Sequence, residues 1–371
     1  MFIGFFSVVL LFSQNDLNPV LPDRVLKLER PFGNYLELEK IVRLETTDAC
    51  LIGTIGLVRV DPNDGDLVVG DFRSAAKVFR FSAQGTFIRA YGSVGEGPGE
   101  LRRIYDFAVL ADSSLVLFGD RKMVQCSKSG VFLREVPLDV GVESSVVADG
   151  NLYLNYAINR GRRKHAILVF DPDLRELTGF YPYEPARQLL SFGHSYSIGV
   201  NNSGALGFID FLRKRLNVYN PASGSLRVLE FADNREIIDQ KRGRKKKLRG
   251  EEAIRFLGGL DRFQEIWGVG SGFLVSEHYL EKSLFRFSFY EPQPDCFFQF
   301  RATENFSALT SSLPFDWVVG SVGDLVIGVL ENPRTLAEKQ RQFKKLQGFV
   351  IREEENPCLV FAGLKPLKSL Q

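Results

Sequence analysis

The sequence predicts an all-β fold, a six-bladed β-propeller of four-stranded antiparallel blades. Two regularities carry that prediction. Short strands end in tight turns at Phe81–Gly85, Cys126–Gly130, Phe170–Leu174, Tyr219–Gly224, Tyr290–Pro294 and Ile351–Glu355. The first four turns begin 44 to 49 residues apart, the length of a four-stranded blade. A second series of turns interleaves with the first, at Asp61–Gly65, Ala111–Ser114, Ala148–Gly150, Asn201–Gly204, Gly270–Gly272 and Ser321–Gly323. These segments are rich in Gly, Asn, Asp and Ser, which tolerate positive φ or hydrogen-bond their own backbone.

In the first blade, alternation of apolar and polar residues places strand A at Gly56–Val60, B at Asp66–Gly70, C at Lys77–Phe81 and D at Thr86–Tyr91. Residues 1–35 read as an apolar N-terminal segment and linker, and residues 36–371 as a single propeller domain. Within it, Leu36–Leu44 alternates ahead of the first blade and is expected to pair with the last one, closing the ring and removing its open edges. The later turn intervals are stretched, which predicts insertions at about 233–262 and 331–345. Thr335-Leu-Ala-Glu338 behind Asn332-Pro333 has the pattern of a capping box, starting a helix that runs to about Lys345. A second short helix is expected at Glu251–Leu257.

Composition fits a folded globular chain of 371 residues, with 44% hydrophobic and 25% charged residues. The net charge is +2, yet Lys241–Arg249 alone carries seven basic residues, so the remainder is net acidic. Cys50, Cys126, Cys296 and Cys358 form no CxxC pair, which disfavours a zinc ribbon or dithiol centre. Buried thiols are the simpler expectation, and whether they pair is left open. Met1–Phe12 is too short an apolar run to span a membrane and suits the core of a signal peptide. Export to the periplasm or exterior is therefore expected, with no transmembrane span and no Cys near the N-terminus to accept a lipid.

Three motifs carry a family resemblance. Val42-Arg-Leu-Glu45-Thr-Thr, Val69-Gly-Asp71 to Phe81, and above all Gly95-Glu-Gly-Pro-Gly-Glu100 make Lys40–Leu101 similar to the bacterial six-bladed β-propeller family related to NHL repeats. Many members of that family look like exported proteins or lipoproteins. The resemblance implies the fold and export, and it transfers no catalytic residue.

Because successive strands reverse direction, the B-to-C and D-to-A loops share one face of a propeller. The Gly95–Glu100 loop, the Arg160–Lys164 loop, Lys241–Arg249 and the helix near Thr335 belong there, and the opposite face carries only short turns. Binding residues concentrate on loops held by a rigid scaffold, so this elaborated face is the candidate recognition surface. Its candidate contacts are Arg102, Arg103, Arg162, Arg163, Lys164, Lys241, Arg242, Arg244, Lys245, Lys246, Lys247 and Arg249, with Arg160, Lys339, Arg341, Lys344 and Lys345 projecting beside them. They would attract a protein, a glycan or another anionic envelope component.

No cofactor is expected. Asp71, Asp120, Asn155, Asp210 and Glu277 fall at B-strand ends, where they would cap their own turns or, less simply, hold Ca²⁺. His165, His194 and His278 show no zinc spacing, and no GxSxG or SxxK nucleophile motif occurs. Tyr156, Tyr196, Phe211 and Tyr279 could ring the channel mouth, although aromatic residues in such strands usually belong to the core. The leading expectation is a non-catalytic, monomeric binding propeller. A metal-dependent lactonase-like hydrolase or lyase in the channel and an RNA-binding propeller are the alternatives. The basic run lacks interleaved aromatics for base stacking, which disfavours nucleic acid.

Overall fold

The computed structural model describes residues 18–159, 163–183, 197–210, 213–231, 262–279, 284–352 and 354–367. Six antiparallel sheets form the six blades. Blade one runs A Leu57–Val60, B Leu67–Asp71, C Lys77–Phe81 and D Phe87–Tyr91, each within a residue or so of its predicted span. The innermost strands of the other blades are Asp106–Val109, Val140–Ala148, Ile198–Val200, Arg262–Val269 and Trp317–Val322. Each A strand contacts the next, and the last contacts the first.

The ring closes as expected. Leu36–Arg43 pairs antiparallel with Cys358–Leu364, so the N-terminal side of the chain supplies strand D of blade six. Earlier still, Arg24–Lys27, in the stretch read as a linker, adds a fifth, parallel strand to the outer edge of blade five at Cys296–Gln299. Val20 bridges Leu229 in the outer strand of blade four. This segment thus runs along the rim from blade four to blade six.

Turn chemistry explains why the two series repeat. Every A-to-B turn contains a residue at positive φ: Gly65, Ser113, Asp149 with Gly150, Gly204, Gly270 and Gly323. Gly85, Gly130, Leu174, Gly224 and Asp295 do the same for the C-to-D turns of blades one to five. Ile351–Glu355 does not belong to that series. It precedes strand C of blade six and lies in the B-to-C connection, because strand D of that blade comes from the other end of the chain.

Close contact between blades demands glycine at two inner positions. A Cβ at Gly268 would sit 1.8 Å from Val200 O, and one at Gly320 would sit 2.3 Å from Val58 O. The apolar core is divided among clusters between neighbouring blades. All four cysteines are buried and free.

Two α-helices are seen among the described residues, both in connections of the elaborated face. Helix α1, Phe306–Ser312, lies between blades five and six and is capped by Asn305, whose side chain accepts from Ala308 N at 2.7 Å. Helix α2, Pro333–Gln342, lies in the B-to-C connection of blade six. Its cap is Asn332 rather than Thr335, since Pro333 occupies the first helical turn and Asn332 accepts from Arg334 N at 2.9 Å. The expected helix at Glu251–Leu257 lies outside the described residues.

Candidate functional site

The elaborated face contains a cavity of about 490 Å³ between blades five, six and one. Its walls come from segments far apart in sequence. Blade one supplies Thr54–Gly56, Phe72 and Arg73; blade five supplies Gln264, Glu265, Trp267, Ser276–His278 and Phe285–Phe287; α1 and the start of blade six supply Phe306, Leu309, Leu313 and Asp316–Val318. The lining is mainly apolar, six of its residues being Phe or Trp, with a few converging polar groups, the usual constitution of a small-molecule site. Phe285 packs edge-on to Phe306 at 5.5 Å between ring centres and stacks on His278 at 4.1 Å.

Three carboxylates line this space, and their surroundings differ. Glu277 is buried within a cationic network: Arg286 binds it through two nitrogens at 2.7 and 3.1 Å, Lys214 Nζ lies 3.0 Å away, and Ser288 Oγ donates at 2.5 Å. Burial alone would raise its pKa, but Lys214 and Arg286 outweigh it and hold the carboxyl at about 2. Asp316 accepts from Glu331 N, Asn332 N and Thr335 Oγ1 at 2.8 to 3.1 Å and lies 3.5 Å from the Lys339 ammonium. Both are satisfied.

Glu265 is not. No hydrogen bond or ion pair from any described residue reaches its carboxylate, and burial pushes it up to about 7. Its position follows from a β-bulge. Phe263 pairs with Glu277 and Glu265 with Ser276, so Gln264 is the extra residue. A bulge re-aims the side chains beside it, and Glu265 lines the cavity instead of continuing the alternation that buries Phe263. Its cross-strand neighbour Ser276 also lines the cavity, and its buried Oγ has no hydrogen-bond partner.

The central channel is a separate space of about 370 Å³ lined by the A strands. Arg59 occupies its wall, donating to Phe107 O at 2.7 Å and Ser145 O at 2.5 Å, and lying 3.3 Å from Asp106. Ser145 Oγ completes Asp106 at 2.6 Å. Burial raises the Asp106 carboxyl, against the opposing pull of Arg59 and Ser145.

The basic residues named from sequence are spread out. Arg102 ion-pairs with Glu96 within its own loop, Arg103 faces Tyr105, and Arg163 bridges Asp139 and Glu176 at 2.7 and 2.5 Å. Lys164 uses its carbonyl, which accepts from Tyr183 N at 2.8 Å. Arg160, Arg162 and the run containing Lys241, Arg242, Arg244, Lys245, Lys246, Lys247 and Arg249 lie outside the described residues. Lys339 does not project from the face: it is buried, donating to Thr310 O, Leu313 O and Phe315 O. Those carbonyls end α1 and open blade six, so this lysine joins the two helices.

The Gly95–Glu100 loop is a clasp between blades one and two. Glu100 Oε2 accepts from Gly97 N at 2.9 Å, Gly99 N donates to Glu135 at 2.9 Å, and Lys122 reaches both Gly97 O and Glu135. The B-strand acids do not converge. Asp71 caps its turn through Arg73 N and Ser74 N and also holds Gly53 N and Thr54 N at the cavity edge. Asp120 accepts from Tyr105, Asn155 donates to Ser197 at 2.9 Å, and Asp210 accepts from Tyr181 at 3.3 Å. Among the described residues no group of three or more His, Cys, Asp or Glu could hold a metal ion. Tyr156 is core, stacked on Tyr183. Of the residues singled out from sequence, Glu277 and His278 do line the cavity, whereas Glu265 and α1 were missed.

Ring closure, blade count and strand order define a six-bladed β-propeller. The chain belongs to the family described as domain of unknown function DUF4934, matched over residues 33–363. No curated protein is significantly similar. Among solved structures, a Bacteroides fragilis protein described as exported is similar at 17% identity, with a TM-score of 0.68 over 92% of this chain and 100% of that one. A virginiamycin B lyase from Staphylococcus aureus is similar at 13% identity and a TM-score of 0.47, over 86% of this chain and 83% of that one. The extracellular domain of a one-component system from B. thetaiotaomicron gives 11% and 0.38, over 72% of this chain and 29% of that one. At 17% identity the likeness to the B. fragilis protein concerns the fold alone.

Proposed function

We propose that this chain is an exported, non-catalytic binding propeller that holds an envelope-associated partner on its B-to-C and D-to-A face, anchored in the cavity between blades five, six and one. The observation that carries the reading is the cavity itself, aromatic-walled and furnished with converging polar groups on the elaborated face. Export draws support from the apolar Met1–Phe12 segment and from the exported B. fragilis relative in fold. No helix among the described residues is long and apolar enough to cross a membrane.

Binding is favoured over catalysis by the state of Ser276, the blade-five serine that lines the cavity. Ser276 Oγ hydrogen-bonds to no base, whereas a nucleophilic serine needs one. The anionic character expected of the partner rests on Lys241–Arg249.

A thermal-shift screen of envelope glycans, lipids and small metabolites tests the reading, run on the native chain and on Phe306→Ala. Phe306 forms part of the wall yet is 52% exposed, so its loss should leave the fold intact. A compound that stabilises the native chain and loses most of its effect in the variant is expected; ligands acting equally on both would contradict the cavity as anchor. Replacing Lys245, Lys246 and Lys247 together with Ala should flatten the salt dependence of partner binding, and unchanged salt dependence would remove the anionic component.

A further inference from the structure

Resting on that reading for its location, we propose that the cavity takes a small organic amine, whose ammonium group pairs with Glu265 and whose carbon skeleton lies against the aromatic walls. The carboxylates lining the cavity divide sharply. Glu277 is held by Arg286, Lys214 and Ser288, and Asp316 by Lys339, two backbone N–H groups and Thr335. Glu265 alone among these three faces the cavity with no described residue to neutralise or hydrogen-bond it. A half-buried carboxylate without a partner among the described residues is costly, and proteins normally satisfy such a group.

The bulge at Gln264 makes the feature more than an accident of composition. It turns Glu265 into the cavity and sets it directly across from Ser276, a second polar group whose Oγ is buried and unsatisfied. Two adjacent orphans on neighbouring strands make one recognition point. A neutral hydroxyl would supply a hydrogen bond but leave the charge uncompensated. An ammonium supplies charge and several donors, and can serve both side chains.

The walls agree with a cation. Trp267, Phe285, Phe287, Phe306 and Trp317 surround the space, and aromatic faces attract cations through their quadrupoles, most strongly where water is excluded. The positive groups at the cavity do not preclude this. Arg286 and Lys214 are both committed to Glu277, Lys339 to Asp316, and His278 lies flat against Phe285. Arg73 is exposed at the blade-one edge, across from blade five, where it can meet a polar or anionic remainder of the same ligand.

Isothermal titration with matched pairs provides the test: phenylethylamine against phenylethanol, cyclohexylamine against cyclohexanol, and glucosamine against glucose, each with the native chain and with Glu265→Gln. The expected result is that at least one amine binds about tenfold or more tightly than its alcohol, and that the variant loses this preference. At pH 6 amine binding to the native chain should also release a proton, visible as a dependence on buffer ionisation heat, and in Glu265→Gln it should not. If every alcohol that binds does so as tightly as its amine, the amine assignment falls and a ligand-binding cavity stands. If Glu265→Gln keeps the amine preference, or no amine binds, the assignment also falls, and the Phe306→Ala screen independently decides the fate of the binding reading.

Discussion

Two A-strand carboxylates, Asp106 in blade two and Glu265 in blade five, are both pushed upward by burial, and their surroundings differ. Asp106 faces the inner wall of the ring, where Arg59 and Ser145 from blades one and three meet it. It serves as a rivet between three blades. Glu265 bears the same kind of burden with no partner from any described residue, in a cavity large enough for a ligand. A charge that binds the fold together is satisfied by the fold; a charge that the described residues leave unsatisfied at a cavity wall points outward, to a partner from beyond them.

The same contrast extends to blades one and two as a whole. Arg80 is fully buried and lies 2.9 Å from Asp61 and 3.4 Å from Asp66, with its guanidinium also donating to Ser113 O at 3.0 Å in the next blade. Arg80→Ala would leave buried carboxylates uncompensated, and equilibrium denaturation should register a loss of about 3–5 kcal/mol. A loss below about 1 kcal/mol would mean that the paired side of the ring is not held by its ions. Asp106→Asn should cost less, about 1–3 kcal/mol, because Arg59 loses its counter-charge but keeps the carbonyls of Phe107 and Ser145.

Glu265 should behave in the opposite sense. Its folded pKa of about 7 lies above its ordinary value of 4.5, so between those values the folded chain holds a proton that the unfolded chain has released. Its contribution to stability is therefore lost as pH rises through that window. Removing the charge should help the protein above it. Glu277 has the reverse linkage: with a folded value of about 2, its stabilisation is present above pH 4.5 and disappears as pH falls toward 2.

Much of the fold could be read from sequence because a propeller repeats its turns, and turns depend on local chemistry. Gly, Ser and Asp at positive φ mark them in one blade after another, and even Leu174 takes that conformation where the series calls for it. Closure by Leu36–Leu44 was legible for the same reason, from plain alternation in a strand with no local partner. The misassigned turn at Ile351–Glu355 shows the limit: an insertion can carry turn-like residues without occupying the repeating position. Arg24–Lys27 escaped notice because four residues at an edge carry almost no pattern.

The site was less legible. Its walls are brought together by ring closure, which no local pattern encodes, so residues near 55, 265, 286, 306 and 317 gave no sign of meeting. Glu277 and His278 stood out as polar residues at a strand end, yet Glu277 turned out to be the satisfied acid. Glu265 had one faint signal. Phe263 and Ile266 are both buried but three apart, a spacing that breaks strand alternation and betrays a bulge with a carboxylate inside it. Asn305 before Phe306–Ser312 was likewise a readable helix cap.

Glu265 has no partner from any described residue, and the ligand assignment turns on that state of the free protein. The stability of Glu265→Gln minus that of the native chain, measured by urea denaturation from pH 4 to pH 9, tests that state. The predicted curve is near zero at pH 4, rises through pH 5 to 7, and levels above it with the variant more stable by about 1–3 kcal/mol. A flat curve, or a native chain more stable than the variant at pH 8, would show that Glu265 is already paired and would contradict the account.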